Sequence, residues 1–190
     1  MTIDFHGSLD ERLFRALDAD AGPLLDRLTV LLSDHRFGIA WGLAIAAALA
    51  WRRPGLRWRL VAALGAAVAL SDLTGARILK PLLGRMRPCY ALPPGSFRWI
   101  VPAADVGSLP SLHASNFFAV AAVAAAADRP VGLAALAVAA AVALARIHGG
   151  VHWPTDVLAG AAWGTLCGGL AALVALRLRR GAARSGAPLA

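Results

Sequence analysis

Three short polar segments interrupt an otherwise apolar chain, and they hold most of the residues that could do chemistry. They are Lys80-Pro81-Leu82-Leu83-Gly84-Arg85-Met86-Arg87-Pro88, then Pro110-Ser111-Leu112-His113, then a stretch with Arg146, His152 and Asp156. Their candidate site residues are three cations (Lys80, Arg87 and Arg146), a hydroxyl, two imidazoles and a carboxylate. Such a set can bind a phosphate through its cations and transfer it through a nucleophile and a proton donor.

His152 and Asp156 have the spacing of an oriented imidazole. Pro154 suits the first position of a helix, which places Asp156 in the first turn and His152 just before it. The carboxylate can then hold one ring nitrogen, leaving the other free as a nucleophile or base. For His152 alone, the alternative is a histidine that merely decorates a helix end; the nearby Asp156 and Arg146 favour the chemical interpretation.

The second segment opens a predicted helix. A helix start presents unpaired N–H groups and attracts an anion, so Ser111 and the local N–H groups could bind one. Ser111 suits a simple N-cap equally well. We expect His113, close to an ester oxygen, to donate a proton to the leaving group.

The cations divide into two groups. We expect Lys80, Arg87 and Arg146 to neutralise phosphate oxygens. Arg85 and Arg98 are instead interpreted as residues that snorkel to a membrane interface. His148 is a further candidate for the site, and Asp72 is interpreted as a buried hydrogen-bonding partner or a helix-packing residue. No residues have the spacing of metal ligands, so we expect neither a metal nor another cofactor.

Composition indicates where these segments lie. The 190 residues are 58% hydrophobic and have a mean hydropathy of +0.63, which predicts a polytopic helical membrane protein that lies in the bilayer. The net charge of +8 comes from residues that flank apolar stretches rather than alternate with aromatics, which argues against nucleic-acid binding. Cys89 and Cys167 are predicted to be unpaired, since one lies in a polar loop and the other in an apolar run.

The predicted fold is an all-α membrane bundle of five transmembrane helices, or six if residues 24–32 insert. Residues 1–36 are predicted to form two amphipathic interfacial helices broken near Gly22-Pro23. Residues 37–177 form the membrane domain, whose loop 80–110 is too long to be a simple connection, and residues 178–190 form a basic, disordered tail. The spans are predicted at residues 37–51, 60–79, 112–127, 131–147 and 155–176.

The arginines fix the sidedness of these spans. With five spans, the arginines of the first link, of the 127–131 link and of the tail all fall on one side, which is then cytoplasmic. The three polar segments meet on the opposite, outer face.

Read together, the three segments resemble the signature motifs of the type-2 phosphatidic acid phosphatase family, which also includes the vanadium haloperoxidases. The likeness covers about residues 70 to 160 in order and spacing. It implies that His152 attacks phosphorus and is oriented by Asp156, and that His113 protonates the departing oxygen. It also implies that Lys80, Arg87, Ser111 and Arg146 hold the phosphoryl oxygens without a metal. The chain departs from the family in Leu112, where glycine is frequent, and in Ala145, where serine is common.

The resemblance implies an outward-facing lipid phosphatase in a bacterial inner membrane. Undecaprenyl pyrophosphate is the preferred substrate, with phosphatidylglycerophosphate and the 1-phosphate of lipid A as alternatives. Five apolar spans argue against a soluble haloperoxidase. A phospholipid transporter or scramblase, which could use the same cations for a headgroup, is the alternative from another class.

Overall fold

The computed structural model describes residues 8–103 and 106–184, and in these residues the regular structure is helical. The helices are α1 (Leu9–Leu17), α2 (Pro23–Ser33), α3 (His35–Arg52), α4 (Arg57–Thr74), α5 (Lys80–Leu83), α6 (Pro88–Ala91), α7 (Leu112–Ala127), α8 (Arg129–His148) and α9 (Pro154–Arg184). A 3₁₀ turn, Pro54–Leu56, precedes α4, and a π-helical turn, Gly75–Leu79, joins α4 to α5. The predicted all-α class is confirmed.

The long helices form a membrane bundle. In the described part of the chain, three helical segments are long and apolar enough to cross a membrane: Pro54–Leu83, Arg129–His148 and Pro154–Arg177. Helix α7 is apolar but shorter, and α3 covers the first predicted span. Large apolar side chains face outward from the bundle, as a lipid surrounding requires: Leu73, Leu133, Leu158 and Leu166 are all more than half exposed. The chain is a multi-pass membrane protein.

Helix α7 lies at the centre of the bundle and packs directly against α9. Gly160, Gly164 and Gly168 recur every fourth residue on α9, and each faces a backbone oxygen of α7. A Cβ atom at Gly164 would lie 1.9 Å from the Ser115 carbonyl oxygen. Small residues at this spacing let two backbones approach closely, which is how helices associate where lipid removes the hydrophobic driving force.

The two ends of the bundle differ in character. At one end, Arg52 Nε lies 3.0 Å and Arg53 Nε 3.3 Å from Asp128 Oδ2, so the α3–α4 and α7–α8 links meet there. The three polar segments lie together at the opposite end. This is the arrangement that the parity of the spans predicts.

The two predicted N-terminal amphipathic helices are present as α1 and α2, and they cover the end that holds the polar segments. Phe14 of α1 is fully buried, and the centroid of its ring lies 5.2 Å from the ring centroid of Trp153. Asp26 of α2 accepts a hydrogen bond from Arg98 at 2.6 Å and lies 3.2 Å from His148 Nε2. The N-terminal helices are therefore fastened to the loop and turn that surround the polar segments.

Two predicted boundaries are wrong. The second span does not end at residue 79, because the π turn and α5 continue it to Leu83; the wider turn tolerates Pro81, which has no N–H to donate. The loop thus begins at Gly84, whose φ of +55° favours glycine. At the other end, α9 continues beyond residue 177 to Arg184, since Leu, Arg and Ala favour helix. Residues 1–7 and 185–190 lie outside the described residues.

Candidate active site

A cavity of about 1000 Å³ lies at the end of the bundle that holds the polar segments, between α3, α4 and α7. Five of the seven predicted site residues line it: Lys80, Arg87, His113, Arg146 and His152. The other two, Ser111 and Asp156, are fully buried next to them. The fold therefore brings together residues that are up to 76 positions apart in the chain.

His152 is held from both sides. Its Nδ1 lies 3.4 Å from Asp156 Oδ2, and its Nε2 lies 2.7 Å from Arg87 Nη1. Because a guanidinium only donates, Nε2 must present its lone pair and Nδ1 carries the proton toward Asp156. Burial, followed by the positive charge of Arg87, holds the pKa of His152 well below its ordinary value. The result is a neutral imidazole whose nucleophilic nitrogen faces a cation-lined cavity.

Asp156 is fixed by several donors. Its Oδ2 accepts a hydrogen bond from the Trp153 N–H at 2.8 Å and another from the Ser108 hydroxyl. Its Oδ1 accepts from Arg85 Nη1 at 2.7 Å. With both oxygens held, the carboxylate has a fixed direction toward His152.

The interpretation of Arg85 as a snorkelling residue is wrong. Its side chain is only 4% exposed and bridges Asp156 and Asp10 of α1. The reason is local geometry: Met86 pairs with Gly107 in an isolated antiparallel bridge, so residues 85–87 are extended. In extended backbone, residues two apart point the same way, so Arg85 and Arg87 both face the site. The two-residue spacing of Arg85 and Arg87 is visible in the sequence and is a signal that the two side chains share a face.

The interpretation of Arg98 as a snorkelling residue is also wrong. Its guanidinium pairs with Asp26, and its backbone N–H donates to Asp18 Oδ2 at 2.7 Å. His148 does not line the cavity. Its Nδ1 lies 2.9 Å from the Leu17 carbonyl oxygen, so it fastens α8 to α1 and α2 instead.

Asp10 and Ser108 are site-supporting residues that sequence reasoning missed. Asp10 accepts hydrogen bonds from the Thr155 N–H at 3.0 Å and the Thr155 hydroxyl at 2.7 Å, in addition to its contact with Arg85. The only sequence sign of such a role is that Asp10 is an acidic residue in an amphipathic helix, and that does not identify a partner more than 70 residues away.

Two buried donors in the site have no hydrogen-bond partner in the described part of the chain: the Ser111 hydroxyl and Arg146 Nε. Ser111 occupies the N-cap position of α7, but its side chain makes no capping bond. Its N–H instead donates to the Asp156 carbonyl oxygen at 2.9 Å, which ties the starts of α7 and α9 together. Buried donors are normally satisfied, so these two are available to an anionic ligand.

Lys80 and His113 make specific contacts as well. Lys80 Nζ donates to the Gly107 carbonyl oxygen at 2.7 Å, which positions the ammonium group at the cavity wall. His113 Nε2 lies 3.1 Å from the Ser33 carbonyl oxygen at the end of α2, so this nitrogen carries its proton toward α2. Within residues 8–103 and 106–184, no three metal-ligating side chains are grouped closely enough to hold an ion.

Comparison with known protein families identifies the family of this chain. The model of the PAP2 superfamily matches residues 57–180, almost two thirds of the chain. The chain belongs to the PAP2 superfamily. Comparison with curated protein sequences gives no significant match.

Solved structures show the same fold. LpxE from Aquifex aeolicus has a TM-score of 0.65 at 23% identity, over 93% of this chain and 99% of that one. The transmembrane PAP2 type phosphatidylglycerolphosphate phosphatase from Bacillus subtilis has a TM-score of 0.63 at 23% identity, over 85% of this chain and 82% of that one. The PAP2 match begins after α3, so α1 and Asp10 lie outside it.

One departure from the PAP2 motifs has a structural counterpart. Leu112, which stands where glycine is frequent, lines the cavity and packs over Gly75 in the π turn. A Cβ atom at Gly75 would lie 2.5 Å from Leu112 Cδ2, so the glycine at position 75 leaves the space that the Leu112 side chain occupies. Ala145, the second departure, is buried and makes no side-chain hydrogen bond. Cys89 and Cys167 are both free thiols, as predicted.

Proposed function

We propose that this protein is a membrane lipid phosphatase that works through a phosphohistidine at His152. The observation that supports this best is the pair of buried, unpartnered donors, Ser111 Oγ and Arg146 Nε, beside an imidazole whose Nε2 lone pair faces Arg87. A phosphoryl group offers acceptor oxygens to such donors and an electrophilic phosphorus to the nitrogen.

In this mechanism, His152 Nε2 attacks phosphorus, an N–P bond forms, and the bond from phosphorus to the lipid oxygen breaks. Arg87, which contacts Nε2 in the free protein at 2.7 Å, moves its hydrogen bond to a phosphoryl oxygen when the substrate enters. Asp156 stabilises the positive imidazole through Nδ1. Water then attacks the phosphohistidine, which releases phosphate and restores His152.

His113 is the proposed acid for the departing lipid oxygen and the base that activates water. Its Nε2–H is held by the Ser33 carbonyl oxygen, so in the neutral ring Nδ1 has no proton to give. Donation therefore uses Nδ1 of the imidazolium, which returns to the neutral form, or follows a shift of the α2–α3 junction that frees Nε2–H.

The positive charge that the transition state needs comes from Lys80, Arg87 and Arg146, so we propose that the reaction requires no metal. These three buried side chains line the cavity together with His152, so they can contact the equatorial oxygens. Guanidinium groups match such oxygens two at a time.

The lipid enters from the bilayer. Besides the cations, the cavity is lined by apolar residues of α3, α4 and α7, including Ile39, Val68 and Val120. An acyl or isoprenoid chain fits this lining, because it buries apolar surface there. Undecaprenyl pyrophosphate is the substrate that the sequence favours, with phosphatidylglycerophosphate and lipid A 1-phosphate as the alternatives.

Phosphate release from purified protein in detergent tests this function. The substrates are undecaprenyl pyrophosphate, phosphatidylglycerophosphate, phosphatidate and lipid A, and the matched control is His152→Ala. We expect release from at least one lipid and none above background in the variant. Equal rates in both proteins would contradict the mechanism, and no release with any lipid would favour the transporter interpretation.

We also propose that the site faces the outside of a bacterial inner membrane, because Arg52 and Arg53 of the α3–α4 link lie at the opposite end, beside Asp128 of the α7–α8 link. A cysteine at the exposed Ser96, in a background without Cys89 and Cys167, should react with an impermeant maleimide in intact cells. A cysteine at Ser185 should react only after the membrane is opened. The reverse pattern would place the site in the cytoplasm.

A further inference from the structure

The cavity contains a second polar group that the phosphate chemistry does not use. Asp72 of α4 and Asn116 of α7 both line it, and Asn116 Nδ2 donates to Asp72 Oδ1 at 2.9 Å. Asn116 Oδ1 is buried without a hydrogen-bond partner in the described part of the chain. The pair therefore presents acceptor oxygens: the unpartnered amide oxygen and the remaining oxygen of the carboxylate.

Helix packing alone does not account for this pair. The adjacent residues Ser71 and Ser115 are fully buried and already form a side-chain hydrogen bond between α4 and α7, at 2.5 Å. A carboxylate at membrane depth is costly and typically marks a substrate or proton pathway. Asp72 lines the cavity, where Asn116 Nδ2 donates to only one of its two oxygens, so a donor in the cavity would further offset the cost of this carboxylate.

The charge of Asp72 excludes a second phosphate as its partner. The cations Lys80, Arg87 and Arg146 line the cavity and attract a phosphate, whereas Asp72 would repel one. Two acceptors with one negative charge instead fit a hydroxyl or an amide N–H, whose single hydrogen can be donated to either oxygen.

The position of Asp72 and Asn116 in the bundle indicates which part of the lipid they contact. Asn116 follows His113 by three residues on α7, which is about 4.5 Å along the helix axis. If His113 protonates the departing oxygen, the group at Asn116 lies within a few bonds of that oxygen, on the lipid side. Sugar and long-chain amino alcohol headgroups have a hydroxyl or amide N–H there, whereas an isoprenoid pyrophosphate has its second phosphate there and then hydrocarbon.

We propose that Asp72 and Asn116 form a headgroup subsite that binds a hydroxyl or amide N–H next to the scissile phosphate. This inference rests on the proposed phosphatase function and narrows its substrate to a hydroxylated or amide-bearing lipid. It runs against the sequence-based preference for undecaprenyl pyrophosphate, because that lipid has no donor at this position.

A matched pair of ligands tests the subsite without turnover. Dodecylphosphonate and 2-hydroxydodecylphosphonate differ in one hydroxyl and cannot be hydrolysed at the phosphorus–carbon bond. We expect calorimetry in detergent to show about tenfold tighter binding of the hydroxylated compound, the worth of one buried hydrogen bond to a charged group. In Asn116→Leu and Asp72→Asn, the ratio should fall toward one.

Ser115→Ala is the control, since it removes the neighbouring helix–helix hydrogen bond and leaves the cavity pair intact; it should keep the tenfold ratio. Equal affinity of the two phosphonates for the wild-type protein, or an unchanged ratio in Asn116→Leu, would overturn the subsite. The phosphate-release panel reports separately on the proposed function. If the protein binds the phosphonates with the expected ratio but hydrolyses no lipid, the result would support the headgroup subsite and contradict the proposed phosphatase function.

Discussion

Gly160→Ala is a small change whose effect on the site can be worked out from the backbone. Gly160 lies one turn after Asp156 on α9 and faces the start of α7. A Cβ atom there would lie 2.4 Å from the Ser111 carbonyl oxygen, whereas ordinary van der Waals contact begins at 3.4 Å. The obstacle is backbone rather than a flexible side chain, so the two helices must separate by about 1 Å at this level.

The separation has two measurable consequences. Overpacking of this kind costs about 1–3 kcal/mol, offset by about 0.5–1 kcal/mol that alanine gains over glycine within a helix. It also moves Ser111 and His113, which α7 positions, away from His152 and Asp156, which α9 and its preceding turn position. A misplacement of about 1 Å in a reacting geometry can lower the rate about 100-fold.

Gly169→Ala is the matched control, because nothing lies within 4 Å of a Cβ atom at that position on the same helix. It should leave phosphate release unchanged and keep or raise the unfolding temperature. Thermal unfolding in detergent and kcat/KM for the preferred lipid would be measured for both variants. If Gly160→Ala is as stable and as active as Gly169→Ala, the close approach of α7 and α9 does not position the site.

The remaining predictions concern the charged groups of the site. Asp156→Asn should lower kcat at least tenfold but leave measurable turnover, because orientation of His152 is lost while its nucleophilic nitrogen is retained; rates equal to wild type would contradict the orienting role. Asp10→Asn should destabilise the protein by about 1–3 kcal/mol and lower kcat more than it changes KM, since Arg85 loses the charge of one of its two buried carboxylate partners; the exposed Asp20→Asn is the control, and identical kinetics would show that α1 does not support the site. Burial and the positive charge of Arg87 lower the pKa of His152, so its imidazole should stay neutral below pH 6.5. The free energy of unfolding should decrease as the pH falls from about 6.5 toward the folded pKa, because the unfolded chain binds the proton first. ¹⁵N NMR of the ring, assigned with His152→Gln, checks this, and a midpoint at the ordinary value of about 6.5 would contradict it. Phosphate release should be the same with and without EDTA, and loss restored by Mg²⁺ would show that Lys80, Arg87 and Arg146 do not supply the charge.

Much of the architecture could be predicted from local sequence, for a physical reason. Apolar runs of about 20 residues have one stable form in lipid, the helix, because every backbone group must be paired internally. The polar segments had to lie at helix ends, and the parity of the spans placed all three at one end. The seven candidate residues were therefore found without the structure, although their chemical roles remain predictions.

Arg85, Asp10 and Asp72 show what the sequence left open. Arg85 was interpreted as an interface residue, yet it lies buried between two carboxylates that come from α1 and α9. A charged side chain can be buried only where partners compensate its lost hydration, and those partners are more than 70 residues away in the chain. Likewise, Asp72 was left between two structural roles, and only the packing of α3, α4 and α7 showed that it faces a cavity. Helix formation is decided by neighbours in sequence, whereas the burial and pairing of charge is decided by neighbours in space, and so by the tertiary structure alone.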